Sequence, residues 1–307
     1  MKKFIYISIL LLSVFQLSAQ QEAMFTHYTF NQLSINPAYA GTREGINLVA
    51  LHRSQWVAFE GAPLSQVISG DMALNNQNFG IGLNINNDKI GPTRNTGIAG
   101  DFSYKLKIGD NGKLALGIKA AVNFVSVGLT DLKIVETNDA AFSENVSNEI
   151  LPNFGFGAYY YTKKYYVGIS TPQLLQNGFE TNDPTTGTVA IANNQRHYYL
   201  LGGASFDINT DLQIEPSTFV RLTAGAPLSF DLTALFKYKE RFWAGPIYRY
   251  NDSFGLMLGM GIIENLELGY AFDWSYTNTT ATYNSGSHEI MLKYQIPSNS
   301  KSQGKFD

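Results

Sequence analysis

The sequence predicts an all-β fold: a single transmembrane antiparallel β-barrel of about 14 strands, with a short N-terminal segment on the periplasmic side. Three observations predict it. Apolar and polar residues alternate with period two through one short segment after another, as they must on a strand whose successive side chains leave opposite faces. The connections between those segments are tight and long by turns. The chain also opens with an export signal, yet offers no later apolar run long enough for a spanning helix.

Composition bounds the alternatives. The 307 residues suffice for one large barrel or two soluble domains. Charged residues are only 15%, against roughly 25% in soluble domains. Aromatics reach 13%, and a mean hydropathy of −0.11 excludes a bundle of membrane helices. A barrel fits, since half of each strand faces lipid and half faces water. The net charge of −3 leaves no basic footprint for nucleic acid. Cysteine is absent, which excludes disulfides, thiol nucleophiles, thiolate metal sites and a lipoprotein anchor.

The order of elements follows from the N-terminus. Lys2 and Lys3 precede the apolar run Phe4 to Phe15, with cleavage expected near Ala19 or Gln20. Residues 1–20 are thus a signal peptide, 21–45 a periplasmic segment, 46–297 the barrel and 298–307 a polar C-terminal tail. Phe25 to Ala40 lacks strand alternation and reads as a short helix or coil ending at Asn36-Pro37. Strands are expected at about 46–53, 64–74, 79–88, 95–108, 112–128, 152–162 and 165–171. They continue at about 196–207, 211–222, 228–238, 241–250, 254–263, 266–277 and 287–296. In one of them Leu266, Leu268, Tyr270, Phe272, Trp274 and Tyr276 alternate with Glu267, Gly269, Ala271, Asp273, Ser275 and Thr277. In another, Ile290, Leu292, Tyr294 and Ile296 alternate with Glu289, Met291, Lys293 and Gln295.

The connections after even-numbered strands are tight, as at Gly109-Asp110-Asn111 and Glu264-Asn265. Those after odd strands tend to be longer, above all 129–151 and 172–195. Short periplasmic turns and long outer loops are the rule in such barrels, and an even number of crossings puts both termini in the periplasm. Aromatics near strand ends, among them Trp56, Tyr159 to Tyr161, Tyr198, Tyr199, Trp243, Tyr250, Trp274 and Tyr276, suit the two bilayer interfaces.

Nothing in the sequence meets the needs of catalysis, a cofactor or a metal. The pairs Gly80/Gly82, Gly155/Gly157 and Gly259/Gly261 lie within strands and have no following helix, so they read as lumen-facing or kinking glycines. His27, His52, His197 and His288 have no metal spacing. Asp252 or Asp273 with His288 is the one conceivable catalytic pairing. Arg53, Arg221 and Arg249 end outward-running strands and are expected to gather near Asp273 and Glu289 in the outer half of the lumen. Such a cluster is either an internal salt-bridge web or the floor of a docking site. Phe25, Tyr28, Phe30, Asn36, Pro37 and Tyr39 are expected to plug the periplasmic mouth or to bind a periplasmic partner. Trp56 lies in the first outer loop, as part of a folded-in loop or a cargo contact.

Several blocks resemble the PorP/SprF family of type IX secretion outer-membrane proteins of Bacteroidetes. FTxYxFNQLxxNPAYAG matches Phe25 to Gly41, and a basic residue followed by QWxxFxGAPxS matches Arg53 and Gln55 to Ser65. PNxGxGxYY matches Pro152 to Tyr160, GxSxPxLL matches Gly168 to Leu175, and RHYYL begins at Arg196. YRxxD matches Tyr248, Arg249 and Asp252, and GSHE is Gly286 to Glu289. The resemblance implies a barrel of the same strand number. It also implies partners in outer-membrane lipid, exported adhesin-like cargo and periplasmic secretion components, including a peptidoglycan-binding OmpA-like protein. A porin-like or hydrophobic-solute transport barrel is the alternative.

Overall fold

The computed structural model describes residues 23–74, 78–130, 145–183, 187–193, 195–276 and 283–297. The first strands are β1 (Ile46–Ser54), β2 (Leu64–Ala73), β3 (Phe79–Ile90), β4 (Thr93–Ile108), β5 (Gly112–Val127), β6 (Val146–Tyr161) and β7 (Tyr165–Thr171). Next come β8 (Gly178–Asp183), β9 (Gly187–Asn193), β10 (His197–Ala204), β11 (Phe206–Asp207) and β12 (Leu212–Thr223). The last are β13 (Ser229–Tyr238), β14 (Phe242–Arg249), β15 (Ser253–Ile263), β16 (Leu266–Ser275) and β17 (Ser287–Ile296). β1 pairs with β17 and β10 with β12, which closes a 14-strand antiparallel barrel. β11 is a short added rung on β12, and β8 and β9 pair only with each other. Closure leaves the wall without an unpaired edge, as a spanning sheet requires.

Period two sets the two faces. Along β17, Ile290, Leu292, Tyr294 and Ile296 face outward, while Ser287, Glu289 and Met291 are buried inward. The same outward apolar series continues around the wall through Leu268, Leu256, Leu232, Ile169, Ile118 and Ile85. The alternating segments thus form the predicted wall. The apolar face meets lipid and the polar face meets the lumen.

Three local features depart from the sequence reading. β6 starts at Val146, because Val146 and Glu149 to Leu151 pair with the top of β5 on either side of a bulge at Val125/Val127, although this stretch carries no clear alternation. The segment 172–195 is not all loop, since it carries the β8–β9 hairpin. Two connections at the long-loop end are also tight, through Gly91 (φ +53°) after β3 and Asn251 (φ +55°) after β14. Left-handed residues let a chain reverse in so few steps. Parts of the expected long loops, 131–144 and 184–186, lie outside the described residues.

The N-terminal segment is where the core sits. Residues 26–41 thread the lumen, nearly all of them buried. They form a four-residue helix α1 (Gln32–Ile35) and a 3-10 turn at Pro37–Tyr39. Asn36 separates the two, and its Oδ1 accepts from the Ala38 N–H at 3.0 Å. Leu33, Ile35, Ala38 and Tyr39 pack with Tyr159, Tyr199, Leu201 and Phe219 of the wall. Phe30 packs with Trp243, Met257, Ala271 and Met291 on the other side. We expect a strand-rich far-UV circular dichroism spectrum in detergent and a heat-modifiable electrophoretic mobility. A helical spectrum, or a mature protein freely soluble in water, is the contrary result.

Candidate functional site: the plugged lumen

Glycine makes room for the plug. A Cβ at Gly117 would overlap Ala38, one at Gly157 would overlap the Asn36 amide, and one at Gly80 would overlap the Ala40 carbonyl. Gly82 faces Leu33, and Gly168 faces Asn36 and Tyr159. These positions lie on the inward faces of β3, β5, β6 and β7, so one sector of the lumen is a shallow bed on which residues 33–40 lie. The backbone of the plug is met there by side chains. Asn36 Nδ2 donates to the Ala158 carbonyl at 3.1 Å and the Ile169 carbonyl at 3.3 Å. Ser170 donates to the Ile35 carbonyl at 2.8 Å, and Ser103 to the Ala40 carbonyl at 2.6 Å. Tyr28, on the opposite side, contacts Ser217 (3.0 Å) and donates to Thr233 (3.2 Å).

The upper end of the plug is held by charge. Glu289 accepts the backbone N–H of Thr26 at 2.7 Å and of His27 at 2.8 Å, and pairs with His27 Nδ1 at 2.8 Å. The Thr26 hydroxyl donates to Asp273 at 2.6 Å and accepts from Arg53 at 2.7 Å. Arg53 also pairs with Asp273 at 2.7 Å and Glu289 at 3.1 Å. Arg249 pairs with Asp231 at 3.1 Å and comes within 3.6 Å of Asp252 and 3.8 Å of Asp273. Arg221 grips Asp231 through two nitrogens, at 3.0 and 2.7 Å. Three arginines and four carboxylates thus form one buried network at the long-loop end. At the opposite, short-turn end, Asp71 accepts from the Gly41 N–H at 3.0 Å and from Arg43 at 3.1 Å. There the chain leaves the lumen for β1.

All five charged residues singled out in the sequence, Arg53, Arg221, Arg249, Asp273 and Glu289, lie in that network. Asp231, Thr26 and His27 belong to it too and were missed. Asp231 carried a usable signal, because pairing β13 with β14 across the 239–241 turn sets it opposite Arg249. His27 and Thr26 carried none, since the plug has no periodicity. Tyr28, Phe30, Asn36, Pro37 and Tyr39 are buried between plug and wall, whereas Phe25 and Trp56 are half-buried at the long-loop end. The plug is therefore not confined to the short-turn mouth, because it reaches up to the charged network. Four expected interface aromatics, Tyr159, Tyr161, Tyr199 and Trp243, face the lumen instead. Adjacent residues on a strand take opposite faces, so Tyr198 and Tyr199 cannot both reach lipid. His288 faces outward beside Tyr270, at 2.6 Å, while Asp273 is buried inside, so the sheet separates that pair. Among the described residues no group of His, Asp and Glu could hold a metal.

A family model described as type IX secretion system membrane protein PorP/SprF matches residues 17–294. Solved structures resemble the chain at low identity. Omp33, the Acinetobacter baumannii outer membrane protein, is 10% identical with a TM-score of 0.47, over 83% of this chain and 100% of that one. A Pseudomonas aeruginosa FadL homologue is 12% identical with a TM-score of 0.48, over 86% of this chain and 94% of that one. The NanC porin is 10% identical with a TM-score of 0.42, over 82% of this chain and 100% of that one. No curated protein matches the chain in sequence.

Three substitutions test the site, the second of them a control. Gly117→Ala forces a methyl group into the plug backbone and should cost about 1–3 kcal/mol. Gly100→Ala, whose Cβ would meet nothing within 4 Å, should be neutral. Asp231→Asn removes the carboxylate that Arg221 and Arg249 share and should cost about 3–5 kcal/mol. Denaturant midpoints of the detergent-folded barrel read all three.

Proposed function

This chain belongs to the PorP/SprF family of type IX secretion system membrane proteins, and from that premise we propose that it is a sealed component acting through contacts at its two ends. It is a secretion-related barrel of the outer membrane. In our reading it supports the secretion or cell-surface attachment of exported proteins, such as large gliding adhesins. The observation that carries this reading is the lumen filled by residues 26–41 and pinned by buried ion pairs. A porin or a transporter of hydrophobic solutes needs an open route, so a filled lumen favours contact over passage. The family, and the separation of His288 from Asp273, favour a role without enzymatic chemistry.

The orientation completes the proposal. The end with short turns faces the periplasm, since outer-membrane barrels keep their short connections there. It meets the periplasmic secretion components, among them a peptidoglycan-binding OmpA-like protein. The long-loop end faces outward, and the segments 129–151 and 172–195, with Trp56 and Phe25 nearby, meet cargo. Residues 1–20 serve as the cleaved signal, and the segment 21–45, described from residue 23 onward, belongs with the barrel.

In planar bilayers we expect no large steady conductance, and a porin-sized one would favour the transport reading. Deleting the gene should strip exported protein from the cell surface and leave solute uptake intact. Replacing residues 172–195 with a short Gly/Ser linker should spare membrane insertion and impair cargo display, as surface labelling of the cargo would reveal. Normal display in that variant would move the cargo contact elsewhere.

A further inference from the structure

Outside the lumen, the lipid-facing side of the wall is not uniform. Across β1 to β4 one rung is apolar, with Ala50, Ile68, Ile85 and Ile98 opposite one another in register. The next outward-facing rung toward the long loops is polar on all four strands, through His52, Gln66, Asn87 and Thr96. That rung turns apolar again on either side, at Ile290 of β17 and Phe124 of β5. The four polar side chains touch in series. Gln66 Nε2 lies 3.1 Å from His52 Nδ1, Asn87 Nδ2 donates to Gln66 Oε1 at 3.5 Å, and Thr96 Oγ1 donates to Asn87 Oδ1 at 3.1 Å. One rung further, Lys89 stands directly opposite Arg94, and both are exposed. Like charges opposed across two strands destabilise the pairing. Among the described residues neither of these two has an ion-pair partner.

We propose that this patch binds an anionic glycolipid of the outer leaflet. The proposal rests on the outward placement of the long-loop end given above, and on nothing about cargo. Position selects a lipid, because these side chains share the face of Ile85 and Ile98 and point away from the lumen. The order along the strands selects the kind of lipid. Ile68, Ile85 and Ile98 are exposed and meet acyl chains. The amides of Gln66 and Asn87 each keep a second N–H and a second lone pair after linking to their neighbours, and with the Thr96 hydroxyl they suit the hydroxyl and amide groups of a sugar. Lys89 and Arg94 lie beyond them, where one phosphate bridges the two cations and relieves their repulsion. A guanidinium takes a phosphate through two parallel N–H groups. Neighbouring acids do not cancel this pair. Asp88 turns to the other face of β3, where Asn86 donates to it at 3.1 Å. Glu60 lies in the loop between β1 and β2 and forms no ion pair with either cation. An ordinary phospholipid offers the phosphate without the sugar, and a neutral glycolipid offers the sugar without the charge.

The test uses the full-length barrel in an uncharged detergent, with bound lipid counted by native mass spectrometry. The probes are a phosphorylated lipid A, the same lipid after enzymatic removal of its phosphates, and phosphatidylglycerol. The phosphorylated lipid A should bind saturably and more tightly than either of the others. In the double variant Lys89→Gln/Arg94→Gln its affinity should fall about tenfold, to that of the dephosphorylated lipid. In Gln66→Leu/Asn87→Leu the preference for phosphate should persist, and the preference over phosphatidylglycerol should disappear. All four side chains lie on the outer face, and unheated electrophoretic mobility verifies that the variants are folded. The site is overturned if the barrel does not distinguish lipid A from its dephosphorylated form, or binds phosphatidylglycerol as tightly. It is also overturned if Lys89→Gln/Arg94→Gln keeps the original affinity. Because the chain has no cysteine, Glu60→Cys supplies a single label site in the loop between β1 and β2. A membrane-impermeant maleimide should label it on intact cells. Absent labelling overturns the outward placement on which both proposals rest, whereas failed lipid discrimination alone sinks only the lipid site.

Discussion

A stretch of chain without strand pairing can lie inside a barrel only if its backbone groups find partners there, because each one buried unpaired costs on the order of 1–3 kcal/mol. Glu289 answers that demand most directly. One carboxylate accepts the N–H groups of Thr26 and His27 and the His27 ring, and it is held in turn by Arg53. Lower down, Asn36, Ser103 and Ser170 meet carbonyls, and Gln32 accepts from Tyr159 at 2.9 Å. The inward polar face of the strands, which in an open channel would meet water, is here spent on a peptide. The seal is thus a consequence of where the wall places its donors and acceptors.

Space and charge divide the work. The glycines of β3, β5, β6 and β7 let the plug backbone lie against the wall, closer than any Cβ would permit. The arginine–carboxylate network fixes its upper end. Buried ion pairs often contribute little net stability once desolvation is counted, but breaking one is costly. Their effect here is to exclude alternatives: a plug slipped by one residue would leave Glu289, Asp273 and Arg53 mispaired while buried. Glycine grants the room, and the charges select one position within it.

The wall was legible in the sequence because each strand carries its own evidence. Leu266 to Thr277 and Ile290 to Ile296 alternate whatever their neighbours do. The limits of β6 were not, because Ser147 to Leu151 lie beyond the regular alternation. Trp243 and Tyr199 were misassigned because ring chemistry suits both an interface and a packed lumen, and only strict parity along the strand decides between them. The arginine cluster could be read from strand ends alone. Its dependence on Thr26 and His27 could not, since nothing in FTHYTFNQLSINPAYAG states which strand each residue will touch. Contacts across some 260 positions leave no local trace.

That separation has a consequence for assembly. Arg53 on β1 lies directly opposite Glu289 on β17, at the seam where the first strand meets the last. The residue that binds the start of the plug is therefore supplied by the final strand, across the pairing that closes the barrel. Before β17 docks, Thr26 and His27 lack their acceptor and Arg53 lacks one of its two carboxylates. Once it docks, seam, plug and charge network are satisfied together. Any partly closed barrel would carry Arg53 incompletely paired and would pay neither the desolvation nor the ordering of the plug back. Closure and plugging are in this sense one event, and a closed wall with an empty lumen is not a state this set of interactions favours.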